Sequence, residues 1–216
     1  MEINYSGKSV LIVDSKLEDL GVLRQILSRM GVEKVQVASS VNMALSLMRE
    51  FQYDLCFAEY DMGKGEKNGL QLLHEANVEQ IFNHVSAYFL IVDPQSSELL
   101  FGSLENSPHT FISKPYDHAK IHHRVEKQLR VKEAVSSVEK LMDEGQYSDV
   151  LTSCEELAAL YPGLGLYLQR LYGIALLRLK RFAEARDLFT HLTHKRELPW
   201  AEVGKGISLY KLGLYE

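Results

Sequence analysis

Two hydrophobic periodicities run along this chain, and the change from one to the other divides it. Up to about residue 128, short apolar runs alternate with stretches whose apolar positions recur every three or four residues. The runs lie at 9–13, 34–38, 55–58, 88–92 and 110–113. Each is long enough for one buried strand and too short for a helix. Between them, residues 17–30 place Leu20, Leu23, Ile26, Leu27 and Met30 at helical spacing. Further helices are predicted at 41–51, around 70–76, near 98–104 and from Asp117 onward. Strands that are apolar throughout, alternating with helices, predict an α/β fold: a doubly wound five-stranded parallel sheet covered on both faces.

From Asp117 the helical pattern continues to about Glu144 without Gly or Pro, either as one helix or with a single break near Arg130. After residue 131 every apolar stretch is helical, and the pattern repeats. Tyr147, Phe182 and Tyr215 open three similar segments, 35 and 33 residues apart. These intervals bracket the ~34-residue period of tetratricopeptide repeats, and the segments resemble that family. Pro162 closes the first unit; Ala185 and Phe189 take the packing positions of the second, and Val150 and Cys154 those of the first. Gly173 and Gly206 are expected where paired helices approach closely. The expected organisation is a sheet domain over 1–128 and an all-α helical hairpin array over 129–216. The array holds about two and a half repeats, and more are expected to follow. Tyr161, Tyr167, Tyr172 and Trp200 are expected to pack between helices rather than line a peptide groove.

Composition narrows the function classes. The chain has 216 residues, 46% hydrophobic and 25% charged, with a formal net charge of -5 and neither half basic. That balance argues against a sequence-independent grip on nucleic acid. With no apolar run of about 18 residues or secretory leader, no membrane partner is expected and the expected location is cytoplasmic. Cys56 and Cys154 sit apart in apolar settings and read as buried thiols of a reducing compartment.

Candidate chemistry gathers where strands end in charge. Right-handed crossovers bring Asp14, Glu59, Val92 with Asp93, and Lys114 to one sheet edge, where α/β sheets bind their ligands. Val-Leu-Ile-Val-Asp at the first strand, Asp-Leu-x-x-x-Glu-x-x-Met at the third, Asn68-Gly69 ten residues later and Lys114-Pro115 stand in order. On those motifs, residues 7–128 resemble the receiver domain of two-component response regulators.

The resemblance implies an Asp at the third strand's end that takes a phosphoryl group from a histidine kinase. It further implies an acidic pair holding Mg²⁺, and a hydroxyl and a Lys that contact the phosphate. Such chemistry works by positioning and charge neutralisation. Here Asp14 keeps the first acid of the pair and Ser15 takes the second place. Glu59 stands at the phosphoacceptor position, Val92 at the hydroxyl position, Lys114 at its usual place and Phe111 at the switch aromatic. Asp61, two residues beyond Glu59, is the other candidate acceptor and is expected to face solvent.

These departures favour a non-catalytic signalling adaptor with a phosphorylation-incompetent receiver, not an enzyme. Mg²⁺ is expected to bind weakly and no other cofactor is implied. Its partners would be a histidine kinase or another response regulator, and a homodimer is compatible with this reading. The alternative is a live, phosphorylation-switched receiver controlling the repeats. The Gly63–Gly69 loop lacks the spacing of a nucleotide cradle and reads as surface. His118, His122 and His123 hold an i, i+4 pair that could bind zinc, but no third ligand stands nearby, so they read as a solvated helix face. His191 and His194 read likewise.

Overall fold

The computed structural model describes residues 3–93 and 110–214. These fall into two compact units, one holding 3–93 with 110–133, the other 134–214. The helix expected near 98–104 lies outside the described residues.

In the first unit, strands Ser9–Val13 (β1), Lys34–Ala38 (β2), Leu55–Glu59 (β3), Ala87–Val92 (β4) and Thr110–Ser113 (β5) form one sheet ordered β2-β1-β3-β4-β5. Every pairing is parallel, with Val10 opposite Leu55 and Glu59 opposite Ile91. Alternate side chains feed two cores. Val10, Ile12, Phe57 and Phe89 pack with helix Leu17–Arg29 (α1) and the start of helix His118–Asp143 (α4). Leu11, Val13, Cys56, Leu90 and Val92 pack with helices Val41–Glu50 (α2) and Gly69–Val78 (α3). The rings of Phe57 and Phe89 stack at 4.5 Å on adjacent strands. Burial on both faces explains why β1, β3 and β4 read as unbroken apolar runs, whereas the edge strands β2 and β5 are partly exposed.

Local chemistry fixes the start of α3. Asn68 caps α3 by accepting from the Gln71 N–H at 2.9 Å, while Gln71 Oε1 accepts from the Asn68 N–H at 2.8 Å. The next residue must be Gly, since a Cβ at Gly69 would lie 2.5 Å from the Glu59 carbonyl oxygen and 2.7 Å from Leu90. α3 can therefore start directly against the end of β3.

α4 is one uninterrupted helix of 26 residues. Its residues from Ala134 belong to the second unit, with helices Tyr147–Leu160 (α5), Gly165–Arg178 (α6), Phe182–Lys195 (α7) and Pro199–Leu212 (α8). The same turn recurs there three times. Gly145, Lys180 and Gly213 take left-handed φ of 71°, 61° and 72°, again 35 and 33 residues apart. At each, the following N–H reaches back to the helix: Gln146 to Leu141, Arg181 to Leu176 and Leu214 to Leu209, at 2.9–3.0 Å.

Phe189 of α7 is fully buried between α6 and α8. A Cβ at Gly173 would lie 2.5 Å from its ring, and one at Gly204 2.6 Å. Gly206, expected at such a crossing, meets nothing within 4 Å; Gly204 makes the close approach. The two lie about 200° apart around a helix of 3.6 residues per turn, so they face opposite sides. Tyr167, Tyr172 and Trp200 pack against this core, whereas Tyr161 is 46% exposed. Among the described residues no helix is long and apolar enough to cross a membrane.

Candidate functional site

The C-terminal ends of β1, β3 and β5 carry Asp14, Glu59 and Lys114 to one place. Asp14 follows β1 directly, its N–H held by the Ala38 carbonyl at 3.1 Å and its Oδ1 accepting from the Lys16 N–H at 2.9 Å. Glu59 is the last residue of β3, and its Oε1 accepts from the Asp61 N–H at 3.4 Å. Lys114 follows β5, its N–H bound to the Val92 carbonyl at 2.9 Å, and it precedes a cis peptide bond to Pro115.

The ammonium of Lys114 sits among three carboxylates. Its Nζ is 2.5 Å from Glu59 Oε2, 2.7 Å from Asp19 Oδ2 and 3.6 Å from Asp14 Oδ2. The bond to Asp19 is a directed hydrogen bond. Glu59 gains from Lys114 both by hydrogen bonding and by charge. Asp14 and Glu59 are 2% and 5% exposed. Burial pushes both carboxyls above their ordinary range, and Lys114 only partly offsets it. Burial also works against the Lys114 charge, but hydrogen bonding to Asp19 and Glu59 outweighs it and raises its pKa. One ammonium thus serves three acids. Tyr116 stands close by, and burial pushes its phenol up to about 12.

The other expected site residues divide. Val92 is buried in the core beneath the edge, with no polar atom on its side chain to offer a ligand. Ser15 and Asp61 are exposed, and Asp61 Oδ1 accepts from the Gly63 N–H at 3.0 Å within its own loop. Phe111 is 37% exposed on β5. Asp19 is the residue that sequence reasoning missed. It lies in the first turn of α1, five residues after Asp14. The signal available was its place in the first turn of a helix that follows a site strand.

The donor set does not suit Mg²⁺. A hard cation needs free carboxylate oxygens in near-octahedral array, whereas here an ammonium within 2.5–3.6 Å already occupies the centre of the three acids. Ser15 adds no charge. Among the described residues no group of three or more His, Cys, Asp or Glu is arranged to hold a metal.

Comparisons with known proteins agree with this architecture. No curated protein matches the chain. The chain is similar in fold to NtrX from Brucella abortus, with TM-score 0.54 and 20% identity over 62% of this chain. It spans only 29% of that NtrX chain. It is also similar to a structure described as adenylate cyclase from Rhodopirellula baltica (TM-score 0.53, 19% identity, 62% of this chain and 96% of that one). The NtrX receiver domain alone gives TM-score 0.50 at 20% identity, covering 56% of this chain and 98% of the domain. At such identities the likeness concerns fold. The family model described as response regulator receiver domain matches residues 10–126, more than half of the sequence. By that match and the sheet that carries it, the chain belongs to the response regulator receiver domain family.

Proposed function

We propose that this protein is a non-catalytic signalling adaptor of a two-component system. Its receiver is phosphorylation-incompetent, and its helical hairpins are a tetratricopeptide-type array that binds other proteins. The observation that carries this reading is the closed charge cluster at the sheet edge: Lys114 Nζ lies 2.5 Å from Glu59 and 2.7 Å from Asp19. A lysine needed to neutralise an incoming phosphoryl group is instead committed to internal acids. Glu59, one methylene longer than Asp, fills the acceptor position and reaches Lys114 without phosphate. About 1 Å of misplacement costs ~100-fold in rate in well-tuned sites, and Val92 offers no hydroxyl.

The repeat reading is supported by the turn that recurs at Gly145, Lys180 and Gly213. It is also supported by Phe189 lodged against Gly173 and Gly204. Stacked hairpins bind through extended surface rather than a pocket. Partners would be proteins of the same pathway, a histidine kinase or another response regulator.

Incubation with acetyl phosphate and Mg²⁺, read by intact mass, tests the proposal. The expected result is no phosphoryl adduct. An adduct on wild-type protein would contradict it, and one mapped to Asp61 would establish the switched-receiver alternative.

A further inference from the structure

A second polar concavity lies in the first unit, lined by none of the residues of the Lys114 cluster. It has a volume of about 610 Å³ and lies between the chain's first described residues, the end of α1 and the face of α4. That volume falls within the ~300–1,000 Å³ typical of small-molecule sites.

Its walls combine two kinds of chemistry. Tyr5, His118 and His122 present flat rings: His118 and His122 stack at 5.8 Å and 20°, and Tyr5 leans on His122 at 5.8 Å and 51°. Arg29 and Arg130 bring two guanidiniums into the lining, against one carboxylate, that of Glu126. Arg130 Nη2 donates to Glu126 Oε1 at 2.7 Å, and His122 Nδ1 stands 3.8 Å from Oε2, so the acid is neutralised from within the site. Arg29 is exposed and makes no ion pair among the described residues. An excess of positive charge in a protein of net charge -5 is a local feature.

Guanidiniums favour planar two-point contact with phosphate or carboxylate, and aromatic faces favour planar rings. A plain structural reading has Arg29 serving the C-terminal end of α1 and the histidines forming a solvated stripe. That reading accounts for the His118–His122 stack, an i, i+4 pair on one helix, but not for Arg29 and Arg130 lining one cavity beside Tyr5.

We infer that this cavity binds a small ligand joining a planar ring system to a phosphate, of the size of a nucleoside monophosphate. The ring lies against Tyr5 and His122, and the phosphate is held by Arg29 and Arg130. The site is independent of the phosphoryl-transfer reading and stands whichever way that is decided.

Titration of the full chain with each of the four common nucleoside monophosphates tests it, with imidazole and tyrosine resonances followed by NMR. The expected result is saturable binding of at least one, tighter than about 1 mM, with shifts at His118, His122 and Tyr5. The double variant Arg29→Gln/Arg130→Gln removes only exposed side chains, and its fold is checked by circular dichroism. It should weaken binding by about tenfold or more. Inorganic phosphate should bind at least about tenfold more weakly than the nucleotide. Three results would overturn the inference: no saturable binding by any of the four, an affinity unchanged in the double variant, or equal binding of phosphate alone.

Discussion

Lys114 decides the chemistry of the sheet edge, because among the described residues it is the cation set among Asp14, Asp19 and Glu59. Removing one partner of a buried pair leaves uncompensated charge, which costs several kcal/mol. Lys114→Met should therefore lower stability by about 3 kcal/mol at neutral pH. The loss should shrink as the remaining acids take up protons. Urea unfolding at two pH values reads both effects.

Glu59→Gln should behave differently. Burial raises the Glu59 pKa above its unfolded value, so its contribution is full below the ordinary carboxylate range and is lost as pH rises through the folded value. A neutral amide imitates the protonated form. The variant should match wild type near pH 4 and be at least as stable at pH 7. A loss beyond about 2 kcal/mol at pH 7 would mean that the Glu59–Lys114 attraction dominates burial.

Asp19 shows where sequence reading stops at this scale. Strand-end acids announce themselves by terminating an apolar run, but an acid in the first turn of an amphipathic helix looks like any solvated residue. Only the return of α1 over the sheet edge brings it to 2.7 Å from Lys114.

Elements were legible where short apolar runs and helical spacing mark them. β1, β2 and β5 fall on the expected ranges, β3 and β4 each run one residue longer, and α4 runs unbroken. The strand order β2-β1-β3-β4-β5 was not legible, since parallel strands carry no pairwise code in their apolar residues. Register within a helix was not legible either. Gly204 and Gly206 are equivalent in composition, yet only Gly204 faces the Phe189 ring.

This difference has a direct consequence. Gly206→Ala should stabilise by roughly 0.5–1 kcal/mol, since it meets open space and relieves a helix-interior glycine. Gly204→Ala should destabilise by about 1–3 kcal/mol by pushing on a ring that has no room. Thermal unfolding of the two variants side by side distinguishes them, and a reversed order would place the helices of this array differently.

At the scale of the whole chain, one sequence joins a receiver fold to an array of helical hairpins, through a helix whose residues contribute to both units. The receiver family is carried by residues 10–126. What the chain does depends on whether that receiver still answers phosphate. Our proposal is that it does not, on the ground that Lys114 is already paired with internal acids.

The most direct test is a titration with Mg²⁺ and beryllofluoride, a phosphoryl mimic, followed by NMR on wild type and on Glu59→Asp combined with Ser15→Asp. Our account predicts a silent wild type and a responsive double variant, since restoring two acids of ordinary length reopens the acceptor and metal positions. A saturable response in the wild type would show a live site and contradict the account.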